Sequence, residues 1–273
     1  MNTESSPSLQ ASLFPGAQEE VVFYEQPLSE RIRAFLRLEH LFGQVLHHIA
    51  GETEWNSRGA LSGLIEINDL LARFDLKAEL IKELERHSQV LSGLKQNPKV
   101  DPARLRDTLS TVNELLGRLR SNQCQPAQCL RKDELVYAVK QRLPIPGGTC
   151  NFDLPAYHHW LSRPAAVRIQ QLKNWISDLE IIRVGVERAL GMVRNSAHPQ
   201  FVVAGAGFYQ QPVEPNVLCQ LVRVGIAADL DVFPEISGGK HRFTIRFLEQ
   251  RDTGQRPTQT AKDIEFELQC CNL

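Results

Sequence analysis

Six cysteines and eight histidines make a metal site the first chemistry to consider in this sequence. Some of them form close pairs along the chain: Cys124 and Cys129, Cys270 and Cys271, and His158 and His159. A structural zinc site needs four such ligands, usually from two pairs that converge in space. Adjacent histidines on a helix point about 100° apart, so they make a poor second pair. The sequence therefore favours reduced thiols and predicts neither a metal nor another cofactor.

An acid–base pair is the second chemistry that the residue types allow. Glu134, Asp153 and His158 are candidates, since general bases occur in small clusters of this kind. No phosphate-binding glycine loop, nucleophile elbow or HExxH motif accompanies them. Gly205-Ala206-Gly207 lies in a strand-like region with no helix after it, which indicates a bulge or close backbone packing rather than a nucleotide site. An enzyme therefore remains an alternative, although no substrate-binding motif in the sequence supports it.

The segment from residue 240 to residue 247 alternates basic and apolar side chains. Successive residues of a strand point to opposite faces, so the apolar set turns towards a core. The opposite face then carries a row of cations: Lys240, Arg242 and Arg246. Arginine binds carboxylates through two parallel hydrogen bonds. This row therefore predicts a basic patch that holds an acidic or carboxylate-ended peptide.

The last predicted strand has the complementary charge on its outer face. Its acidic residues are Asp263, Glu265 and Glu267. If this strand and the basic one form a hairpin, the acids lie opposite Arg242 and Arg246 as cross-strand pairs. Two interpretations of the basic row are therefore open: internal ion pairs, or a surface that binds a partner.

The charge balance bears on the class of that partner. The chain has 31 Lys and Arg against 32 Asp and Glu. A protein that coats nucleic acid needs a clear basic excess, so a nucleic-acid-binding regulator is a weak alternative. The helical region has a small basic excess, and Arg33, Arg37, Arg131 and Lys132 are candidates to extend the patch. A local patch at neutral net charge fits a protein partner.

The sequence has neither a secretory leader nor a membrane span of about 18 apolar residues. We therefore expect a soluble, cytoplasmic protein. Residues 1–20 are rich in Ser, Pro, Gln and Glu and carry no basic residue, which predicts a disordered tail.

Hydrophobic periodicity predicts the elements that position these residues. Residues 21–27 form a strand, and residues 28–199 form an α-helical domain. We expect helices near 29–50, 60–73, 77–93, 101–120, 132–142 and 155–161, and one long helix over 164–194. Residues 200–273 form a small antiparallel β-domain, with strands near 201–210, 217–226, 230–234, 241–248 and 262–271. The strand at 21–27 has no local partner, so it must pair with the C-terminal sheet to satisfy its backbone groups. The prediction is an α+β fold.

The sequence contains several long and irregular strings. They are FYEQPLSERIRAFLRLEHLF at 23–42, LIKELERH at 80–87, QRLPIPGGTCNFDLPAYHHWL at 141–161, FPEISGGKHRFTIRFL at 233–248 and FELQCC at 266–271. These strings resemble the ZapD family of bacterial Z-ring-associated proteins. They occur in order and together span residues 21–271. Strings of this length and irregularity are specific to a family.

The resemblance implies a non-enzymatic cytoplasmic division factor at the midcell ring. It implies a homodimer that binds the C-terminal tail of the division GTPase FtsZ, crosslinks and bundles FtsZ filaments, and promotes septum formation, without contact to nucleic acid or membrane. The positions that match basic residues of the family pattern are Arg37, His158, Lys240, Arg242 and Arg246. Glu134 departs from the pattern, because it stands where a relative carries a basic residue.

Overall fold

The computed structural model describes four stretches of the chain: residues 20–73, 75–212, 219–239 and 242–273. The predicted tail at 1–20 lies outside the described residues except for Glu20, and Lys240 lies outside them as well. The chain divides into two units. The helical unit takes the described residues of Pro27–Ala197, Leu218–Leu221 and Cys271–Leu273. The strand unit takes those of Met1–Gln26, His198–Val217 and Val222–Cys270.

Several helices of the helical unit begin directly after a residue whose side chain caps the first turn. The helices are α1 Glu30–Ile49, α2 Glu54–Arg73, α3 Leu76–Gly93, α4 Pro102–Arg120, α5 Gln128–Lys132, α6 Glu134–Arg142, α7 Pro155–Leu161, α8 Ala165–Ser177 and α9 Glu180–Arg194, with a 3-10 turn at Leu94–Gln96. The Ser29 hydroxyl accepts from the Ile32 N–H at 3.2 Å, and Asp101 accepts from the Ala103 N–H at 2.8 Å. Such caps satisfy backbone donors that a first helical turn leaves free. Within the described residues, none of these helices is both long and apolar enough to cross a bilayer.

The single long helix predicted over residues 164–194 is wrong, because the structure divides it into α8 and α9. Asp178 follows the last residue of α8, and its carboxylate accepts from the backbone N–H of Cys129 at 2.7 Å. Leu179 is fully buried at the break, and its N–H donates to the Ile176 carbonyl at 2.9 Å. The break therefore results from tertiary contacts. No proline or glycine marks it in the sequence.

The strand unit consists of two antiparallel sheets. The strands are β1 Val21–Pro27, β2 Gln200–Ala204, β3 Phe208–Pro212, β4 Leu221–Ala227, β5 Phe233–Gly238, β6 Arg242–Glu249, β7 Thr258–Gln259 and β8 Ile264–Cys271. One sheet has the order β1-β4-β8-β2, and the other has the order β3-β6-β5 with β7 also on β6. The rings of Phe247 and Phe266 lie 5.1 Å apart between the two sheets. The predicted α+β fold, with the N-terminal strand returning to the C-terminal strands, is confirmed.

The continuous strand expected near residues 201–210 is divided into β2 and β3, which belong to different sheets. The turn between them contains Ala206 and Gly207, whose φ angles are 47° and 69°. A Cβ on Gly207 would lie 2.7 Å from the carbonyl oxygen of Thr260. Only glycine accepts both the left-handed backbone and this close approach without strain. Gly207 therefore allows the chain to turn from one sheet to the other.

Candidate functional site

The outer face of β6 carries the two strand arginines that the sequence singled out. Arg242 and Arg246 are exposed, and Thr244 lies between them on the same face. Four strand residues span about 13 Å, so the two guanidinium groups can engage separate carboxylates of one extended peptide. The third member of the predicted row, Lys240, lies outside the described residues.

The inner face of β6 determines which way the arginines point. Phe243, Ile245 and Phe247 are at most 1% exposed. A one-residue shift of register would expose all three side chains to water. The loss of burial would lower the stability by about 2 kcal/mol for each side chain. The buried face therefore holds Arg242 and Arg246 at the surface.

The interpretation in which the arginines pair with Asp263, Glu265 and Glu267 is wrong. Those residues precede or lie on β8, which pairs with β2 in the sheet that does not contain β6. The residue opposite Arg246 is Glu235 on β5, and the two form an ion pair. Both side chains are about half exposed, so this pair contributes about 1 kcal/mol or less. A carboxylate of a partner can therefore compete for Arg246.

Arg242 differs from Arg246 in its surroundings. Its neighbour across the ladder is Pro212 on β3, which carries no charge. Among the residues that the structure describes, no carboxylate lies within 4 Å of the Arg242 guanidinium. Among the described residues, Arg242 therefore has no carboxylate that competes with an incoming anion.

The other two predicted site residues belong to the helical unit. Arg37 is exposed on α1, next to the fully buried Leu38. His158 is exposed on α7, next to the buried Tyr157. In the described part of the chain, neither Arg37 nor His158 forms an ion pair. The structure thus places Arg242 and Arg246 on one strand face, and Arg37 and His158 on two separate helices.

A buried arginine that the sequence interpretation missed holds α7 in place. Arg168 on α8 is 5% exposed. It donates to backbone carbonyls and one hydroxyl: Leu161 O at 2.9 Å, Glu52 O at 2.7 Å, Ser57 Oγ at 3.0 Å, and Arg163 O. Carbonyls at the end of a helix carry negative partial charge, which stabilises the guanidinium. The spacing of Arg168 from Leu172 and Trp175 places it on the apolar face of α8, and that position was a signal in the sequence.

The candidate acid–base trio does not assemble. Asp153 forms an ion pair with Arg142 at 3.5 Å and accepts from the Cys150 thiol at 3.4 Å. Glu134 is exposed in the first turn of α6. Within the described residues, no ion pair joins His158 to Asp153 or to Glu134.

The six cysteines form no disulfide in the described part of the chain. In the described residues, no group of three or more His, Cys, Asp or Glu side chains is arranged to hold a metal ion.

Comparison with known proteins decides the family. The profile of the ZapD family, described as a cell division protein, matches residues 36–246. The chain belongs to the ZapD family. It is 39% identical over 252 residues to Cell division protein ZapD of Methylococcus capsulatus, with 92% of this chain and 98% of that protein covered. The ZapD protein of Azoarcus sp. is 39% identical over 253 residues, with 93% and 100% covered.

A third ZapD relative, from Chromobacterium violaceum, is 38% identical over 253 residues, with 93% of this chain and all of that protein covered. The resemblance inferred from the sequence strings is confirmed by these matches. The family is described as a cell division protein, and the exposed arginines of β6 are therefore found in a member of a cell division family.

Proposed function

We propose that this ZapD-family protein binds the C-terminal tail of FtsZ and, as a homodimer, crosslinks FtsZ filaments at the midcell ring. In this role it promotes septum formation in the cytoplasm without catalysing a reaction. The observation that carries the proposal is the outward pair Arg242 and Arg246, held on β6 by a buried apolar face. Two guanidinium groups on one exposed strand face suit an acidic peptide segment.

We expect the tail to contact the basic residues that match the family pattern. Arg242 and Arg246 bind carboxylates of the tail through paired hydrogen bonds. Arg37 and His158 are exposed on the helical unit and add further contacts there. From the alternation in the sequence, Lys240 is a third candidate contact for the tail.

Each tail is expected to bind weakly, because exposed ion pairs contribute about 1 kcal/mol or less. A dimer with two-fold symmetry presents the same surface twice, so it holds tails from two filaments. Many tails along a polymer raise the effective concentration, and weak sites then suffice for bundling. Since salt screens exposed charges, bundling should decrease as the salt concentration rises.

The double variant Arg242→Ala with Arg246→Ala tests the assignment. Loss of two exposed charge-assisted contacts, at about 1 kcal/mol each, predicts an affinity for a labelled FtsZ tail peptide about 10- to 30-fold lower by fluorescence anisotropy. Co-sedimentation with full-length FtsZ polymers should decrease in parallel. It should be absent, even for the unaltered chain, with FtsZ that lacks its tail.

The matched control is Arg251→Ala with Arg256→Ala, which removes the same charge from two other exposed arginines of the strand unit. This control should bind the tail like the unaltered protein. Unchanged affinity in a folded Arg242 and Arg246 variant would refute the strand site.

Dilution of the protein should abolish filament crosslinking but not tail binding. Below the concentration at which the dimer dissociates in analytical ultracentrifugation, anisotropy should still detect tail binding while filament bundling disappears. Bundling by monomers would mean that each chain holds two sites, and the two-fold argument would then be wrong.

A further inference from the structure

The end of the hairpin that α3 and α4 form carries an open groove. Ser88 Oγ on α3 donates to Asn113 Oδ1 on α4 at 3.2 Å, and Arg120 on α4 forms an ion pair with Glu85 on α3. These contacts join the two helices side by side and antiparallel, with a short connection at their common end. His87 is the last buried residue of α3, so the end of the hairpin extends beyond the core of the helical unit.

We call this groove the tip groove. Its lining includes hydrophobic and basic residues: Leu94, Lys95, Val100, Leu105, Arg106 and Leu109. Its volume is about 680 Å³, which is within the range of clefts that bind ligands. Leu105 and Leu109 form the floor, each 8% exposed, and they lie outside the main hydrophobic core. The floor therefore offers apolar area to a side chain that enters from a partner.

Two cations stand at the tip groove. Lys95 and Arg106 are exposed, and both line it. Among the residues that the structure describes, no carboxylate lies within 4 Å of either side chain. Both are therefore available to a carboxylate of a partner.

Two side-chain amides add hydrogen-bond donors to the lining. Asn97 Oδ1 accepts from the Lys99 N–H at 3.0 Å, and Asn113 Oδ1 accepts from Ser88 Oγ. The acceptor atoms of both amides are therefore engaged inside the hairpin. Within the described part of the chain, their NH2 groups donate to no other group, so they can bind carbonyl oxygens of a peptide.

The acidic residues of the hairpin end do not neutralise the tip groove. The Asp101 carboxylate caps α4 and accepts from the Ala103 N–H at 2.8 Å. Asp107 and Glu114 lie about 140–180° around α4 from the two leucines of the floor, because successive helical residues are 100° apart. These two acids therefore face away from the tip groove, and the charges that line it select an anionic occupant.

We propose that the tip groove docks an acidic peptide segment of a partner protein, with a large apolar side chain among its carboxylates. The apolar side chain packs on Leu105 and Leu109, and the carboxylates on either side pair with Lys95 and Arg106. The two amides donate to carbonyls of the peptide backbone. A second copy of the chain docked tip to tip about a two-fold axis would bring like charges together, which is unfavourable. The site uses the helical unit alone and goes beyond the proposed function, because it does not involve the arginines of β6.

The test uses three labelled peptides and fluorescence anisotropy at low ionic strength, where exposed charges are least screened. The full-length chain carries Arg242→Ala and Arg246→Ala throughout, so that β6 does not bind the probe. The peptide EELFEE should bind, EEGSEE should bind about tenfold more weakly without its apolar pair, and KKLFKK should not bind. Lys95→Glu with Arg106→Glu should lower the affinity for EELFEE at least about tenfold, because two attractions become repulsions.

Lys99→Glu with Arg104→Glu is the matched control. It makes the same change of charge at the same end of the hairpin, but neither residue lines the tip groove. It should lower the affinity for EELFEE at most about twofold, and both double variants should keep their far-UV circular dichroism, since all four residues are exposed.

Four results would overturn the proposal. EELFEE fails to bind, or EEGSEE binds as tightly as EELFEE, which would mean that the site holds any anion. The two double variants lose affinity equally, which would mean a general attraction to the basic end of the hairpin. Lys95→Glu with Arg106→Glu changes the oligomeric state in analytical ultracentrifugation, which would mean that a second copy of the chain occupies the tip groove.

Discussion

Glu83→Gln is the substitution that tests the buried polar contacts of the helical unit. Glu83 on α3 is fully buried, and its carboxylate accepts from Arg31 Nη1 at 2.8 Å and from Gln220 Nε2 at 3.2 Å. Arg86 donates to it as well, and His87 Nε2 lies 3.0 Å away. Burial by itself would raise the pKa of Glu83, but hydrogen bonds from His87, Arg86 and Arg31 outweigh burial and hold the pKa far below its usual range.

The loss of stability in Glu83→Gln depends on how well water can replace the carboxylate at each of its partners. Arg31 and Arg86 are each about a quarter exposed, so water partly replaces the carboxylate. His87 is fully buried and has no such replacement. Removal of one partner from a buried ion pair costs about 3–5 kcal/mol, and partial hydration of the arginines reduces this. We expect the free energy of unfolding to decrease by about 2–4 kcal/mol at pH 7.

Glu79→Gln is the matched control, one turn earlier on α3. Glu79 also contacts Arg31 at 2.8 Å, but its side chain is one-third exposed. Its loss should cost about 1 kcal/mol or less. Urea unfolding, followed by far-UV circular dichroism at a constant protein concentration, measures both variants.

The pH dependence gives a second and independent readout. A carboxylate with a lowered native pKa stays ionised in the folded chain, whereas the unfolded chain binds a proton near pH 4.5. The stabilisation by Glu83 is therefore complete above that pH and decreases as the pH falls. Glutamine does not titrate, so the gap between the unaltered protein and Glu83→Gln should narrow from pH 7 to pH 3.5. The reasoning is refuted if Glu83→Gln and Glu79→Gln cost the same, or if the gap is constant with pH.

Two further substitutions and one control substitution test the local geometry. Arg168→Met should lower the free energy of unfolding by about 3 kcal/mol in a urea titration, because it leaves buried carbonyls without a donor; a cost below 1 kcal/mol would contradict this role. Gly207→Ala should cost about 2–4 kcal/mol through its left-handed backbone and its contact with Thr260. Gly147→Ala is the control for Gly207→Ala and should lower the free energy of unfolding by only about 1 kcal/mol in thermal unfolding. Gly147 has a φ of 70°, but no atom lies near the added Cβ. Equal costs at both glycines would contradict the role of the contact between residue 207 and Thr260.

Local patterns of the sequence were sufficient for several elements. Ser29 predicted the start of α1, because a hydroxyl at that position satisfies a free N–H of the first turn. The two-residue alternation of β6 predicted which residues are buried, since the period of a strand is a property of its own backbone. The lone strand at the start predicted a distant partner, because its backbone groups need hydrogen bonds.

The sequence did not predict which strand pairs with β6. The acidic face of β8 matched the basic face of β6 in charge, yet β6 lies between β3 and β5. Exposed charge pairs are worth too little to select a neighbour, whereas burial of apolar faces is worth several kcal/mol. The ion pair that Arg246 forms is with Glu235 for this reason.

The sequence by itself determined the periodicity of the elements, the caps of the helices, the family and the basic character of the β6 surface. The tertiary structure decided the break at Asp178, the burial of Arg168 and the partners of Glu83. Each of these depends on groups that are distant along the chain, such as Glu83 and Gln220. The free energy of a buried charge depends on its surroundings in space, and local sequence does not specify those surroundings.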